Sequence, residues 1–449
     1  MYGNIGDMKS TKTQLCGLVA AFAASVSAFA GIQLVSPAEG EAVRLLPSRQ
    51  KEIMSLATPE ERYDALAEDR KEKKERESNP SSHDEPKVWR VSAPILFKWR
   101  ATEGEKGPWL VRVAKTREAV EDPAAQCAME LSLNGDGDCG NAKTEKAKDG
   151  TRVMSFSAEG PNLEVGERYY WKVWSSVKCP HFSCSTPTFD GPCKCGKTKP
   201  GAVSGIGSFT TDPAAPRWIS VEGRVKNFRD LGGWPTEFGR RVRQGRVYRG
   251  QGLNDNSFYG GKPGRNRLMV ADLDFLKGDL GIKTDLDLRS GRETANMKTS
   301  PLGEGVKFVH HSSESYAGIF KENGKKVMAN NVRLFTDEAN YPIYFHCIAG
   351  ADRTGSLAYV LLGICGVSKH DLEVDWESTF YPTVHGVREE NAKRKDWRGS
   401  HWFDEGFAKY GTPESSLRER IELYLLDCGV TREEIEKVRE LMLEPSAAQ

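Results

Sequence analysis

From Gly31 to about residue 213, apolar and polar positions alternate in short runs broken by turns. "IQLVSPAEGEAV", "APILFKWRA", "WLVRVAKT", "RVMSFSAE", "RYYWKVWSS" and "GIGSFTTD" carry the period-two pattern and the β-branched or aromatic residues of half-buried strands. The pattern predicts an all-β sandwich over 31–213. Between the first two runs lies a long polar insertion, residues 47–86. Its first half predicts a helix capped at Thr58 with Pro59 at the first helical position, and its second half reads as a solvated charge run serving as a spacer.

After "TTDPAAPRW", residues 210–218, the pattern changes. The expected linker gives way to strands alternating with helices, the mark of an α/β layer, over 217–445. "IKTDLDLRS", "VKFVHHS" and "YPIYFHC" predict strands. "RTGSLAYVLLGICG" predicts a helix, and Ser368 caps another. A third has Pro413 in its first turn, Leu417, Ile421, Tyr424 and Leu425 on one face, and Gly429 at its end; a fourth opens on a Thr431/Glu434 capping box.

Lys9 and Lys12, the run "LCGLVAAFAASVSAFA" and Ala28-Phe29-Ala30 read as charged region, apolar region and cleavage site. They predict a signal peptide over 1–30 and a secreted or periplasmic protein. No later stretch approaches about 18 consecutive apolar residues, so no transmembrane segment is expected. The length of 449 residues suits two domains, and the net charge of +1 argues against a nucleic-acid or membrane-surface partner. Cys127, Cys139, Cys179, Cys184, Cys193 and Cys195 crowd one loop-rich region; in an exported chain they are expected to form three disulfides, with a metal site around "CKC" and His181 as the alternative.

Candidate chemistry sits where "YPIYFHC" meets the following helix. "CIAGAD" must be the turn between them, and backbone N–H groups of such a turn, together with the helix N-terminus, form an anion cradle. Arg353, six residues after Cys347, can offer a planar fork to two phosphate oxygens. In that electropositive cup a thiol with an ordinary pKa of about 8.5 ionises near neutral pH and becomes a nucleophile for phosphorus, with no metal or cofactor required.

These residues carry a resemblance. "HCIAGADRTG" is similar to the Cys-x5-Arg loop of protein tyrosine and dual-specificity phosphatases, and "NFRDLGGWPTEFGRRVRQGRVYRG" with "LGIKTDLDLRSGRE" resembles their bacterial tyrosine-phosphatase-like branch. The resemblance implies a tyrosine-phosphatase fold, a central sheet flanked by helices. It implies Cys347 as nucleophile, Arg353 on the phosphoryl oxygens, and the N–H groups of Ile348, Ala349, Gly350, Ala351, Asp352 and Arg353 lining the cup. Thr354 assists the thiolate, and His346 orients the loop. For the general acid it nominates Asp287, with Asp352 as rival and a salt bridge to Arg289 or Arg292 as the competing role of Asp287; Asp285 is placed on the other side of that strand.

Family members acting on phosphoinositides often carry lysine before Asp-Arg, where this chain has Ala351, which disfavours highly phosphorylated substrates. Arg388, Lys393, Arg394 and Lys395 are an alternative source of charge. A phosphorylated protein, phosphotyrosine first, or a small phosphate ester is the expected partner; inositol phosphates or phosphoinositides come second, and a non-catalytic phospho-ligand module is the alternative of another class. "LEVGERYYWKVW" followed by "GSFTTD" resembles the last strands of fibronectin type III domains, which leaves protein and carbohydrate ligands open for the sandwich.

Overall fold

The computed structural model describes residues 31–77, 91–102, 107–122, 125–133, 142–175, 201–221, 225–253, 268–294, 297–381 and 401–446. Residues 1–30, where a signal peptide is expected, Cys139, Cys179, Cys184, Cys193, Cys195 and the basic side chains at 388–395 lie outside them.

The first unit is built from β1 (Ile32–Ser36), β2 (Glu41–Val43), β3 (Ile95–Ala101), β4 (Trp109–Ala114), β5 (Met129–Leu133), β6 (Lys143–Lys146), β7 (Arg152–Ala158), β8 (Arg168–Ser175) and β9 (Gly207–Thr211). A four-stranded sheet, β1-β3-β7-β6, faces a five-stranded one, β2-β9-β8-β4-β5. Alternation turns Ile95, Phe97 and Trp99 of β3 inward against Val111 and Val113 of β4 and Trp171 of β8, all in one buried cluster. The edge strand β6, "KTEK", is exposed throughout and carries no apolar alternation to betray it. Cys127 bears a free thiol, which corrects the expectation of disulfides across all six clustered cysteines.

The insertion between β2 and β3 holds α1 (Ser48–Met54) and α2 (Pro59–Glu77), and α3 (Arg117–Glu121) follows β4. Thr58 caps α2 as its sequence predicts: Glu61 N donates to Thr58 Oγ1 at 3.2 Å, and Thr58 N donates to Glu61 Oε2 at 3.0 Å. The helix runs on into the charge run, and the first half of the insertion packs against the second unit. Leu46, Ile53, Met54, Tyr63 and Leu66 belong to the core of the second unit, because the apolar face of this helix pair has no sheet of its own to cover it.

That second unit is a six-stranded sheet ordered β10-β11-β12-β15-β13-β14. Its strands are β10 (Arg217–Trp218), β11 (Arg229–Asp230), β12 (Val247–Gly250), β13 (Thr284–Asp287), β14 (Lys307–His310) and β15 (Ile343–His346). β15 lies parallel to both β12 and β13, which is why "IYFH" is buried at every position instead of alternating. Around it stand α4 (Val270–Asp274), α5 (Glu322–Leu334), α6 (Asp352–Ile364), α7 (Lys369–Glu377), α8 (His401–Phe407), α9 (Leu417–Asp427) and α10 (Arg432–Met442).

Two boundaries move. α9 starts at Leu417, not near Pro413, because Ser416 and Glu419 form a capping box that satisfies the first turn's amides. The expected linker is shortened at both ends by β9 and β10, and Arg217 is buried in a 2.8 Å pair with Asp230. The units touch directly as well: Val165 N donates to Gln244 Oε1 at 2.8 Å, and Gln244 Nε2 donates to Val165 O at 2.9 Å.

Candidate active site

The turn after β15 approaches the chain leaving β12 so closely that only glycine fits at 350. Gly350 has φ +66°, and a Cβ there would stand 2.2 Å from Gly250 O. The carbonyl oxygens of Ile348, Ala349 and Gly350 are drawn to one side. Gly252 N donates to Ile348 O at 3.0 Å, and Asn227 Nδ2 donates to Ala349 O at 3.1 Å and to Gly350 O at 2.9 Å. Arg249 Nη2 also donates to Gly350 O, at 3.0 Å. In a planar trans peptide the next N–H points opposite to the carbonyl, so the amides of Ala349, Gly350 and Ala351 turn to the other side, toward the start of α6. An anion set there meets backbone N–H groups and the positive end of a helix whose interior residues, Thr354 to Ile364, are all buried.

Cys347 stands at the floor, 2% exposed. Burial pushes its thiol up, but the Arg353 guanidinium and the adjacent hydroxyl and amide of Thr354 outweigh burial and the Asp352 charge, leaving the thiol below its ordinary value. For Cys365 burial outweighs the charges of Arg439 and Arg240, and its thiol is pushed up to about 12.

Arg353 is held by a residue the sequence reading did not single out. Its Nη1 donates to Glu293 Oε2 at 2.6 Å and its Nη2 to Glu293 Oε1 at 2.9 Å. Glu293 is anchored in turn, since Ser290 N donates to Glu293 Oε2 at 2.6 Å. Although burial pushes this carboxyl up, Arg353 and Ser290 hold it down at about 2. The available signal was the Ser-x-x-Glu spacing of "SGRE", a capping box written just after a strand.

The nominated acids are in different surroundings. Asp287 is fully buried and receives Arg289 Nε at 3.0 Å, Arg289 Nη2 at 2.7 Å and the Arg289 amide at 2.9 Å. Burial alone would raise its carboxyl; the charges of His346 and Arg289 bring it below the usual range, and its geometry is that of the salt bridge with Arg289. Asp352, at the first position of α6, is only half-buried, and its Oδ1 accepts from the Tyr316 hydroxyl. Tyr316 adopts φ +55°, a costly conformation for a bulky side chain, and packs its ring against Trp376 and Trp402.

His346 lies behind the loop, its Nε2 2.9 Å from Asp285 Oδ1 and its Nδ1 3.2 Å from Cys347 O. Asp285 was expected on the opposite side of its strand from Asp287. Residues two apart share a strand face, and both carboxylates border the same imidazole, Asp287 at 3.9 Å. Ser300 Oγ completes Asp285 with a 2.6 Å bond. His310 and His311 diverge, to Arg289 O and Asn331 Oδ1.

Arg229 is part of a buried strut. Its Nε donates to Asp375 Oδ1 at 2.9 Å and its Nη2 to Asp375 O at 2.8 Å, while Arg249 Nη1 donates to Asp375 Oδ2. Burial pushes the Asp375 carboxyl up, and the two guanidinia together bring it below its ordinary value. Arg229 Nη1 also donates to Asn227 Oδ1, which aims the Asn227 amide at the loop carbonyls.

Residues 219–444 match the sequence profile described as the tyrosine phosphatase family. A protein of Cupriavidus necator named for the tyrosine-protein phosphatases is 31% identical, covering 36% of this chain and 65% of its own, so this chain spans just under two thirds of that relative's length. A Nostoc commune tyrosine-protein phosphatase is 26% identical, over 38% of this chain and 70% of its own. Among solved structures, the core catalytic domain of the PP-IP phosphatase SIW14 from S. cerevisiae aligns at 19% identity over 33% of this chain and 79% of that chain, with a TM-score of 0.22.

Proposed function

The chain belongs to the tyrosine phosphatase family, and from that premise we propose that it hydrolyses phosphate monoesters through a cysteinyl-phosphate on Cys347, with protein phosphotyrosine as first substrate. One observation carries the reading: a thiol held below its ordinary value at the floor of a cradle whose carbonyls are turned away and whose arginine stands beside it.

In the first step the Cys347 sulfur bonds to phosphorus as the ester P–O bond breaks, with backbone amides and Arg353 neutralising charge on the three remaining oxygens. Asp352 gives a proton to the departing oxygen. Water then attacks phosphorus, the S–P bond breaks, Asp352 takes the water's proton, and inorganic phosphate leaves. Asp352 is preferred to Asp287 because it is half-buried beside the thiol, whereas Asp287 is fully buried and pinned by Arg289. Thr354 stabilises the thiolate, and His346, fixed by Asp285, orients the loop. Ala351 is buried and uncharged, so the cradle offers no cation there for a second phosphate.

Export after cleavage near Ala30 is supported by the charged and apolar regions of residues 1–30. A fibronectin- or immunoglobulin-like kinship for residues 31–213 is supported by the strand orders β1-β3-β7-β6 and β9-β8-β4, which follow the A-B-E-D and G-F-C wiring of such sandwiches. Phosphate release by the full chain from a phosphotyrosyl peptide, set beside an inositol phosphate, tests the function. Faster release from the peptide is expected, and no release from any monoester overturns the reading.

A further inference from the structure

The helical insertion of the first unit reaches the back of the cradle through one helix. Arg62 of α2 is 1% exposed and enters α7 from outside the catalytic unit. Its Nη2 donates to Glu373 Oε2 at 3.0 Å and to Glu377 Oε1 at 3.1 Å, and its Nη1 donates to Leu56 O at 2.8 Å. Beside it the Tyr63 ring meets the Phe380 ring edge-on at 5.1 Å, and His370 Nε2 lies 3.1 Å from Met54 O.

Glu373 and Glu377 are one helical turn apart and share a face of α7. Asp375, midway between them, is rotated by about 200° and stands on the opposite face. So α7 is gripped by Arg62 on one side and presents Asp375 to Arg229 and Arg249 on the other. Those arginines end at the loop: Arg249 on Gly350 O, and Arg229 through Asn227 on Ala349 O and Gly350 O. α7 also packs against α6 where Gly355 admits the Trp376 ring; a Cβ at 355 would stand 2.5 Å from it.

We propose that Arg62 is a positioning residue for the catalytic loop, so that the insertion carried by the first unit is a working part of the phosphatase site. The inference rests on the function proposed above and adds the dependence on a segment outside the matched residues 219–444. Loss of the Arg62 contact leaves two buried carboxylates facing each other, α7 shifts or rotates to expose them, and Asp375 no longer holds both arginines against the loop.

The test uses the full chain and two readouts. One is the pH dependence of Cys347 alkylation by iodoacetamide, which needs no turnover; the other is kcat and KM on an aryl phosphate. Arg62→Met is expected to move the alkylation curve to higher pH and to lower kcat about ten- to a hundredfold, as a displacement of about 1 Å does at a distance. Arg62→Lys, which keeps a cation, recovers part of both. Asp375→Asn combined with Arg62→Met falls no further than Asp375→Asn alone, since both act through α7, whereas independent destabilisation adds. Lys51→Ala, which breaks only the surface pair with Asp212, leaves both readouts as in wild type.

A folded Arg62→Met protein with wild-type alkylation and kcat overturns the proposal, and so does full additivity with Asp375→Asn. If Arg62→Met does not fold, Arg62→Lys and Glu373→Gln decide by the same two readouts, and wild-type values in both overturn it. A wild-type chain that releases no phosphate defeats the proposed function instead; a shifted alkylation curve in Arg62→Met still supports the coupling.

Discussion

Arginine–carboxylate pairs stand on both faces of the 347–353 loop, and they differ in what water can reach. Behind the loop, Arg229 and Arg249 are 0% exposed and clamp Asp375 from two directions. In front, the side chains of Arg353 and Glu293 keep 20% and 13% of their exposure. A fully desolvated pair has no solvent to trade with and fixes shape; a part-exposed pair can exchange a carboxylate oxygen for a phosphoryl oxygen at little cost. Asp287 and Asp352 divide the same way. Residue type alone says little about role here, and access says much.

The comparison breaks outright if Cys347 is dispensable. Cys347→Ser should lower turnover by roughly 10⁴-fold or more, as removal of a nucleophile does, with an unchanged circular dichroism spectrum. Residual activity within tenfold would remove the premise for a front face at all. Arg353→Lys should cost about 10²–10³ in kcat, because a point charge replaces a planar fork; near-normal turnover would show that the bidentate geometry is irrelevant.

The two acids sharpen the comparison. Asp352→Asn should slow an alkyl phosphate by about 10²–10⁴-fold and p-nitrophenyl phosphate far less, since the nitrophenolate departs unaided. Asp287→Asn should slow the two substrates alike while lowering the urea midpoint, because it strands Arg289 in the interior. The reverse pattern would exchange their roles. On the back face, Asp375→Asn should destabilise the chain by about 3–5 kcal/mol in urea unfolding, the usual cost of leaving buried charge without its partner. A loss under about 1 kcal/mol, typical of surface pairs, would put this network on the same footing as the front one.

The smallest effect concerns pH. Glu293 ionises at about 2 in the folded chain, below its unfolded value. Its pairing therefore stabilises the fold fully above about pH 4.5 and is lost as pH falls toward about 2. Glu293→Gln should flatten the thermal-midpoint curve in that window and leave it parallel to wild type above it. Two curves of identical shape would mean that Glu293 is not ionised through its contact with Arg353.

What could be read from the chain follows how local each signal is. β15, the turn at Gly350, α6 and the Thr431/Glu434 cap depend on neighbours within a few residues, and they stand where the pattern places them. Ser416 with Glu419 is an equally local signal, and it outranks Pro413 because a capping box satisfies amides in both directions. Glu293 was hidden because its meaning depends on Arg353, sixty positions along and on another element. Arg62 was hidden further still. Within a charged insertion it reads as one more solvated cation, and only the fold sets two glutamates around it.

The distance along the chain between Arg62 and Glu373, 311 residues, also sets a schedule. At about 5–20 residues per second, a ribosome that has completed α2 needs roughly 15 to 60 s more before the helix that receives it exists. Through that interval Tyr63 lacks Phe380, the ring it meets edge-on, and the core that Ile53 and Leu66 join is incomplete, while the sandwich strands on either side can already pair. The nascent chain thus carries a greasy, half-finished helix pair for most of its synthesis, and its yield will follow how fast translation proceeds and how well holding chaperones cover residues 46–66.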